Sequence, residues 1–75
     1  MTTVKLDLKG LNCPLPVLRA NKKMKELLPG DILEVEVTDP AAPKDFMTYS
    51  ETTGHELIKN EPGEGMFTLA LKKAE

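Results

Sequence analysis

Cys13 is the only cysteine of the 75-residue chain, and Pro14-Leu15-Pro16 follows it directly. A thiol with no intrachain partner cannot form an internal disulfide, so dithiol redox chemistry is excluded and single-thiol chemistry remains. That chemistry is nucleophilic attack on the terminal sulfur of a donor, giving Cys13-S-SH, followed by attack of an acceptor thiolate on the outer sulfur. Free cysteine is also among the most buried residue types. Two prolines directly after it, where a strand pattern gives way to a helical one, favour the chemical role.

Proline is tolerated in a first helical turn because the N–H groups there have no intrahelical acceptor. Cys13 is therefore expected as N-cap, with Pro14 and Pro16 stiffening the approach to the sulfur. The N–H groups of Leu15 and Val17, together with the helix dipole, are expected to face the sulfur. In that setting the thiolate should form below the ordinary thiol pKa of about 8.5, and a persulfide anion should be stabilised by the same donors.

Two further sets of residues invite a role. The helix after Cys13 carries Arg19, Lys22, Lys23 and Lys25, and Leu15 and Leu18 fall away from its apolar stripe. Exposed leucines rimmed by charge suggest a surface that docks another protein, with Leu15, Leu18, Arg19 and Lys22 as its residues. His55 is the only histidine. Exchange by an ionised thiol needs no base, and a histidine just past a helix end is commonly placed there by the dipole, so a structural role is favoured over catalysis.

The elements that must position these residues follow from periodicity. Val4, Leu6 and Leu8 alternate with Lys5, Asp7 and Lys9, a strand with one wet face. A helix is expected over residues 14–28, stopped by Pro29-Gly30, with Val17, Ala20, Met24, Leu27 and Leu28 as its core stripe. Leu33, Val35 and Val37 give a second strand. Asp39 as cap and Pro40 at the first position open a second helix with the stripe Ala42, Phe46, Tyr49 and Thr53, closed by Gly54. Pro43 conflicts with that start and moves it toward Ala42. Leu57 and Ile58 mark a third strand, residues 62–65 a turn, and Phe67, Leu69 and Leu71 a fourth strand. The order βαβαββ with one polar face per strand predicts a two-layer α/β sandwich: a mixed four-stranded sheet, both helices on one face, strands three and four as a hairpin.

Composition narrows the function classes. Residues 1–75 are expected to form one domain, too small for a deep substrate cavity. Tyr49, Phe46 and Phe67 are the only aromatics, so stacking surfaces for bases or flat cofactors are scarce, and a net charge of −2 argues against a phosphate-backbone partner. No apolar run approaches a membrane span and no signal-peptide core precedes the first strand. A single unpaired cysteine fits a reducing compartment, and a cytoplasmic location is expected.

Gly10-Leu11-Asn12-Cys13-Pro14-Leu15-Pro16 ahead of a basic helix resembles the TusA (SirA-like) family. The likeness continues in Asp39-Pro40, Asp45 and Gly54-His55-Glu56-Leu57, and covers nearly the whole chain. It implies a βαβαββ sandwich whose cysteine carries sulfur as a persulfide, a sulfurtransferase acting within a relay. A cysteine desulfurase or rhodanese would be the donor, and tRNA thiolation, cofactor synthesis or sulfur oxidation the destination. On this reading Cys13 is catalytic, Pro14 and Pro16 preorganise it, and Asp45 and His55 are accessory candidates. No cofactor or metal beyond the covalent sulfur, no direct nucleic acid and no membrane is expected, and the free chain should be a monomer. The rival expectation is a regulatory or adaptor module on the same fold, without sulfur turnover.

Overall fold

Alternation of apolar and charged residues produces the sheet. The structure, a computed structural model that describes residues 2–75, contains β1 (Thr3–Leu8), α1 (Leu15–Met24), β2 (Ile32–Val37), α2 (Ala42–Thr53), β3 (Glu56–Pro62) and β4 (Phe67–Lys72). The sheet order is β1-β2-β4-β3, with β1 parallel to β2 and the other two pairings antiparallel. The expected mixed four-stranded α/β architecture is thus present, with β3 and β4 as its hairpin.

Register sets one face against the helices. Leu6, Val35 and Leu69 lie side by side across β1, β2 and β4, as do Val4, Leu33 and Leu71. Leu33, Val35, Leu69 and Leu71 are fully buried, packed with Ala20 and Met24 of α1 and Ala42, Phe46 and Tyr49 of α2. The other face is laced by charge: Glu34 takes Lys59 at 3.2 Å and Lys5 at 3.8 Å, and Lys9 reaches Glu36 at 2.9 Å. Phe46 meets Tyr49 edge-on at 6.4 Å, and the Tyr49 hydroxyl donates to Asn21 Oδ1 at 3.0 Å, tying α2 to α1.

Several sequence expectations are corrected. Helix α1 ends at Met24 rather than continuing to residue 28, because the chain tightens into i→i+3 bonds: Glu26 N–H to the Lys23 carbonyl and Leu27 N–H to that of Met24. Leu28 is then turned outward, 71 % exposed, its N–H held by Asp31 Oδ2 at 3.0 Å. Helix α2 begins at Ala42 with Ala41 as N-cap, so Asp39 and Pro40 precede it and Pro43 sits in its first turn. Thr53 is exposed rather than part of the stripe, its hydroxyl donating to the Tyr49 carbonyl. Gly54 closes the helix at φ 85°, a left-handed conformation that glycine adopts without steric cost. Strand β3 runs on through Pro62, and a register shift between Leu57 and Lys59 leaves Ile58 45 % exposed.

Both ends of β2 carry an aspartate that fastens neighbouring chain. At its start Asp31 accepts from Thr2 N–H (3.1 Å) and Leu28 N–H (3.0 Å). Just beyond its end, Thr38 Oγ1 accepts from Gly10 N–H and Asp39 Oδ2 from Cys13 N–H, at 2.9 and 2.7 Å.

Candidate functional site

The sulfur end is built by two connections that meet, the β1–α1 loop and the β2–α2 loop. Asp39 is the joint between them. Its Oδ2 receives the Cys13 N–H and its Oδ1 the Ala41 N–H at 3.0 Å, so one carboxylate fixes the backbone of the thiol and the entry to α2 together. The sequence suggests only a helix cap here. The cap position belongs to Ala41, and the Asp39 side chain reaches across to the other loop instead.

Cys13 is exposed and unpaired. The N-cap of α1 is Pro14 rather than Cys13, with Pro16 in the first turn and buried, and the Cys13-Pro14 peptide bond is cis. The Leu15 N–H, expected to face the sulfur, is taken by the Asn12 carbonyl at 2.9 Å. The expectation of a depressed thiol pKa is overturned. The Asp45 carboxylate, which lines the same concavity as the thiol, pushes the Cys13 pKa up; desolvation and the negative charges of Asp45 and Asp39 act in the same direction. Two acids, rather than two free N–H groups, dominate the field at the sulfur.

Cys13 opens into a concavity of about 370 Å³ between the helices, lined by Pro14 and Val17 of the α1 side and by Asp45, Thr48, Tyr49 and Thr52 of α2. Asp45, Thr48, Tyr49 and Thr52 stand at i, i+3, i+4 and i+7, one face of a helix. That spacing was the available signal for the α2 wall of the site. The mostly apolar lining leaves Asp45 as the charged group inside it.

Of the other candidates, His55 lies apart. It follows the far end of α2, roughly 12 Å of helix beyond Asp45 at 1.5 Å per residue. Its Nδ1 accepts from Ala74 N–H at 3.0 Å, its ring stands 5.9 Å from that of Tyr49, and burial followed by the Lys73 charge holds its pKa down. Those contacts are structural. Leu15 and Leu18 are exposed, at 44 % and 56 %, as the helical projection predicts. Arg19 and Lys22, however, line a different shallow depression with Leu6, Lys23 and Glu26. None of these four docking candidates borders the concavity at the sulfur. Among the described residues no group of three His, Cys, Asp or Glu side chains could hold a metal ion, and no helix is long and apolar enough to cross a membrane.

Comparison with known proteins adds to this geometry. The family model described as sulfurtransferase TusA matches residues 4–73. The chain is 44 % identical over 69 residues to the sulfur carrier protein TusA of Allochromatium vinosum, covering 92 % of this chain and 91 % of that one. It is 37 % identical over 68 residues to the TusA of Pseudomonas aeruginosa, covering 91 % and 86 %. The crystal structure of a SirA-like protein from Desulfitobacterium hafniense superposes with a TM-score of 0.80 at 28 % identity, over the full length of both chains. With the family model spanning nearly all of the chain and the fold shared end to end, this protein belongs to the TusA family.

Proposed function

We propose that this protein is a sulfur carrier: Cys13 accepts sulfane sulfur from a donor protein as a persulfide and passes it to an acceptor protein. The observation that carries this reading is the exposed, unpaired Cys13 thiol, its backbone held from Asp39, opening into a groove that a partner's sulfur-bearing segment can enter. Kinship with proteins named sulfur carriers supports it.

The chemistry needs no cofactor. The Cys13 sulfur forms a bond to the outer sulfur of a donor persulfide, the donor's S–S bond breaks with its electron pair left on the donor thiolate, and that thiolate takes up a proton. Unloading repeats the step with the acceptor thiolate as nucleophile. No net oxidation occurs in either direction. A cysteine desulfurase or a rhodanese fits as donor because each presents sulfur as a persulfide, and the exposed Leu15 and Leu18 suit a transient protein contact better than a small substrate.

The test is a two-step transfer. Sulfur-35 should pass from labelled cysteine, through a cysteine desulfurase, to the carrier and then to an acceptor cysteine. Cys13→Ser should stop the label at the desulfurase. Label reaching the acceptor equally well with Cys13→Ser, or a cellular role untouched by that change, would favour an adaptor without sulfur turnover.

A further inference from the structure

Among the described residues, most carboxylates have partners; Glu51, Glu56, Glu64, Glu75 and Asp45 have none, and of these five only Asp45 is not exposed. Asp7, Glu26, Glu34, Glu36 and Glu61 pair with lysines, and Asp31 and Asp39 each collect two backbone N–H groups. Asp45 is half-buried in the groove and, among the described residues, has neither an ion pair nor a backbone N–H. It shares that groove with the reactive thiol.

We propose that Asp45 gates Cys13: in the free carrier its carboxylate keeps the sulfur in the unreactive thiol form, and a partner that brings a guanidinium or ammonium group to Asp45 releases the thiolate on docking. The proposal deepens the carrier reading and rests on it for the role of the partner. The groups facing the sulfur are few. Among the described residues, α2 contributes Asp45, Tyr49, whose hydroxyl is committed to Asn21, and the uncharged Thr48 and Thr52; the β2–α2 loop contributes the charge of Asp39; the α1 side contributes Pro14 and Val17. Among the described residues no cation lines the groove; Arg19 and Lys22 line another depression.

A masked thiol suits a carrier that must pass through a pool of small disulfides and oxidants, because the thiolate and not the thiol reacts with them. A cation on Asp45 removes the charge that opposes ionisation. The proton then leaves to solvent, and the freed sulfur pair attacks the donor's outer sulfur as described above. Charge complementarity defines the partner: a basic side chain for Asp45 beside the apolar surface that meets Leu15 and Leu18.

The experiment uses two reagents on one set of variants. Iodoacetamide alkylation of the free chain against pH reads the thiolate directly. Asp45→Asn should raise the rate at neutral pH severalfold and move the profile to lower pH, and Asp45→Lys, which supplies the cation within the chain, should move it further. Equal profiles for wild type and Asp45→Asn, both shown to be folded, overturn the gate. A cysteine desulfurase with cysteine is the second probe. In wild type its loading of Cys13 should extend to lower pH than alkylation does, and in Asp45→Asn the two profiles should converge. Coincident profiles in wild type would overturn release on docking. Failure to load at any pH contradicts the carrier reading instead, and leaves the alkylation result to decide the masking by Asp45.

Discussion

The two ends of β2 use one device for opposite purposes. At the start, Asp31 gathers the N–H groups of Thr2 and Leu28 and is itself buried, 9 % exposed. The chain around it closes further: Gly30 N–H donates to the Lys73 carbonyl, Lys73 N–H to the Asp31 carbonyl, and the Lys73 ammonium to the Leu27 carbonyl. At the other end Asp39 gathers the N–H groups of Cys13 and Ala41, but the thiol it holds stays exposed beside a second acid. Where the aspartate joins only backbone, the result is a seam. Where it joins the backbone of a reactive residue, the result is a positioned nucleophile.

The comparison breaks most severely at the layer shared by both ends. Phe46 is fully buried between the sheet and α1, and Phe46→Ala should cost about 3–5 kcal/mol. A small domain holds only about 0.05–0.15 kcal/mol per residue in total. Urea titration should show a large loss of midpoint, with the seam and the sulfur end failing together in one transition.

Exchanging amide for carboxylate at each end should separate them. Asp31→Asn should lower the thermal midpoint and leave the alkylation rate of Cys13 as in wild type. Asp39→Asn should have the smaller effect on the midpoint but slow sulfur loading, because loss of the charge-assisted acceptor for the Cys13 backbone outweighs removal of the weakest of the charges that oppose ionisation of the thiol. A reversed pattern would mean that the two joints are not distinguished by what they hold.

Acid should act mainly through the seam and the α2 end. The backbone N–H groups of Leu28 and Thr2 hold the Asp31 pKa below its ordinary value, and burial lowers that of His55. In both cases the unfolded chain binds more protons inside the window, so stability rises with pH across it. Stability should first fall as pH drops below the ordinary histidine range, when protonation of His55 Nδ1 removes its bond from Ala74, and fall again as pH drops below the ordinary aspartate range. Thermal melts against pH for wild type and His55→Gln check this. The first decline should vanish in the variant and the second persist.

The smallest effects should come from the outer face of α1. Leu18→Ala and Lys22→Glu touch neither the core nor the groove and should leave the melting curve unchanged. If this face docks partners, Lys22→Glu slows association and weakens its salt dependence, whereas Leu18→Ala mainly speeds dissociation. Both variants should load normally from a small-molecule sulfur donor. Protein-to-protein transfer unchanged in both would move docking to the groove side, around Val17 and Thr52.

The sheet and the stripe of α2 are legible in the sequence because their periodicities are strong. Val4, Leu6 and Leu8, then Leu33, Val35 and Val37, alternate without interruption, and Ala42, Phe46 and Tyr49 recur at helical spacing. The end of α1 is not legible, because Leu27 and Leu28 continue the helical period while the side chain of Asp31, three residues on and no part of that period, takes the Leu28 N–H. The charge around Cys13 is hidden for a related reason. Helix-start reasoning sees the N–H groups and the dipole of α1, but Asp39 and Asp45 arrive from the next βα connection, 26 and 32 positions along the chain. Their proximity is a product of parallel β1–β2 pairing, which no local pattern encodes.

Intact-mass spectrometry of the reduced protein after incubation with a cysteine desulfurase and cysteine, or with a sulfane-sulfur donor, tests the carrier role most directly. The persulfide reading predicts an added mass of one sulfur atom, removed by reductant and missing in Cys13→Ser. Folded, reduced protein that gains no sulfur from any donor class, or that gains it equally without Cys13, would contradict it.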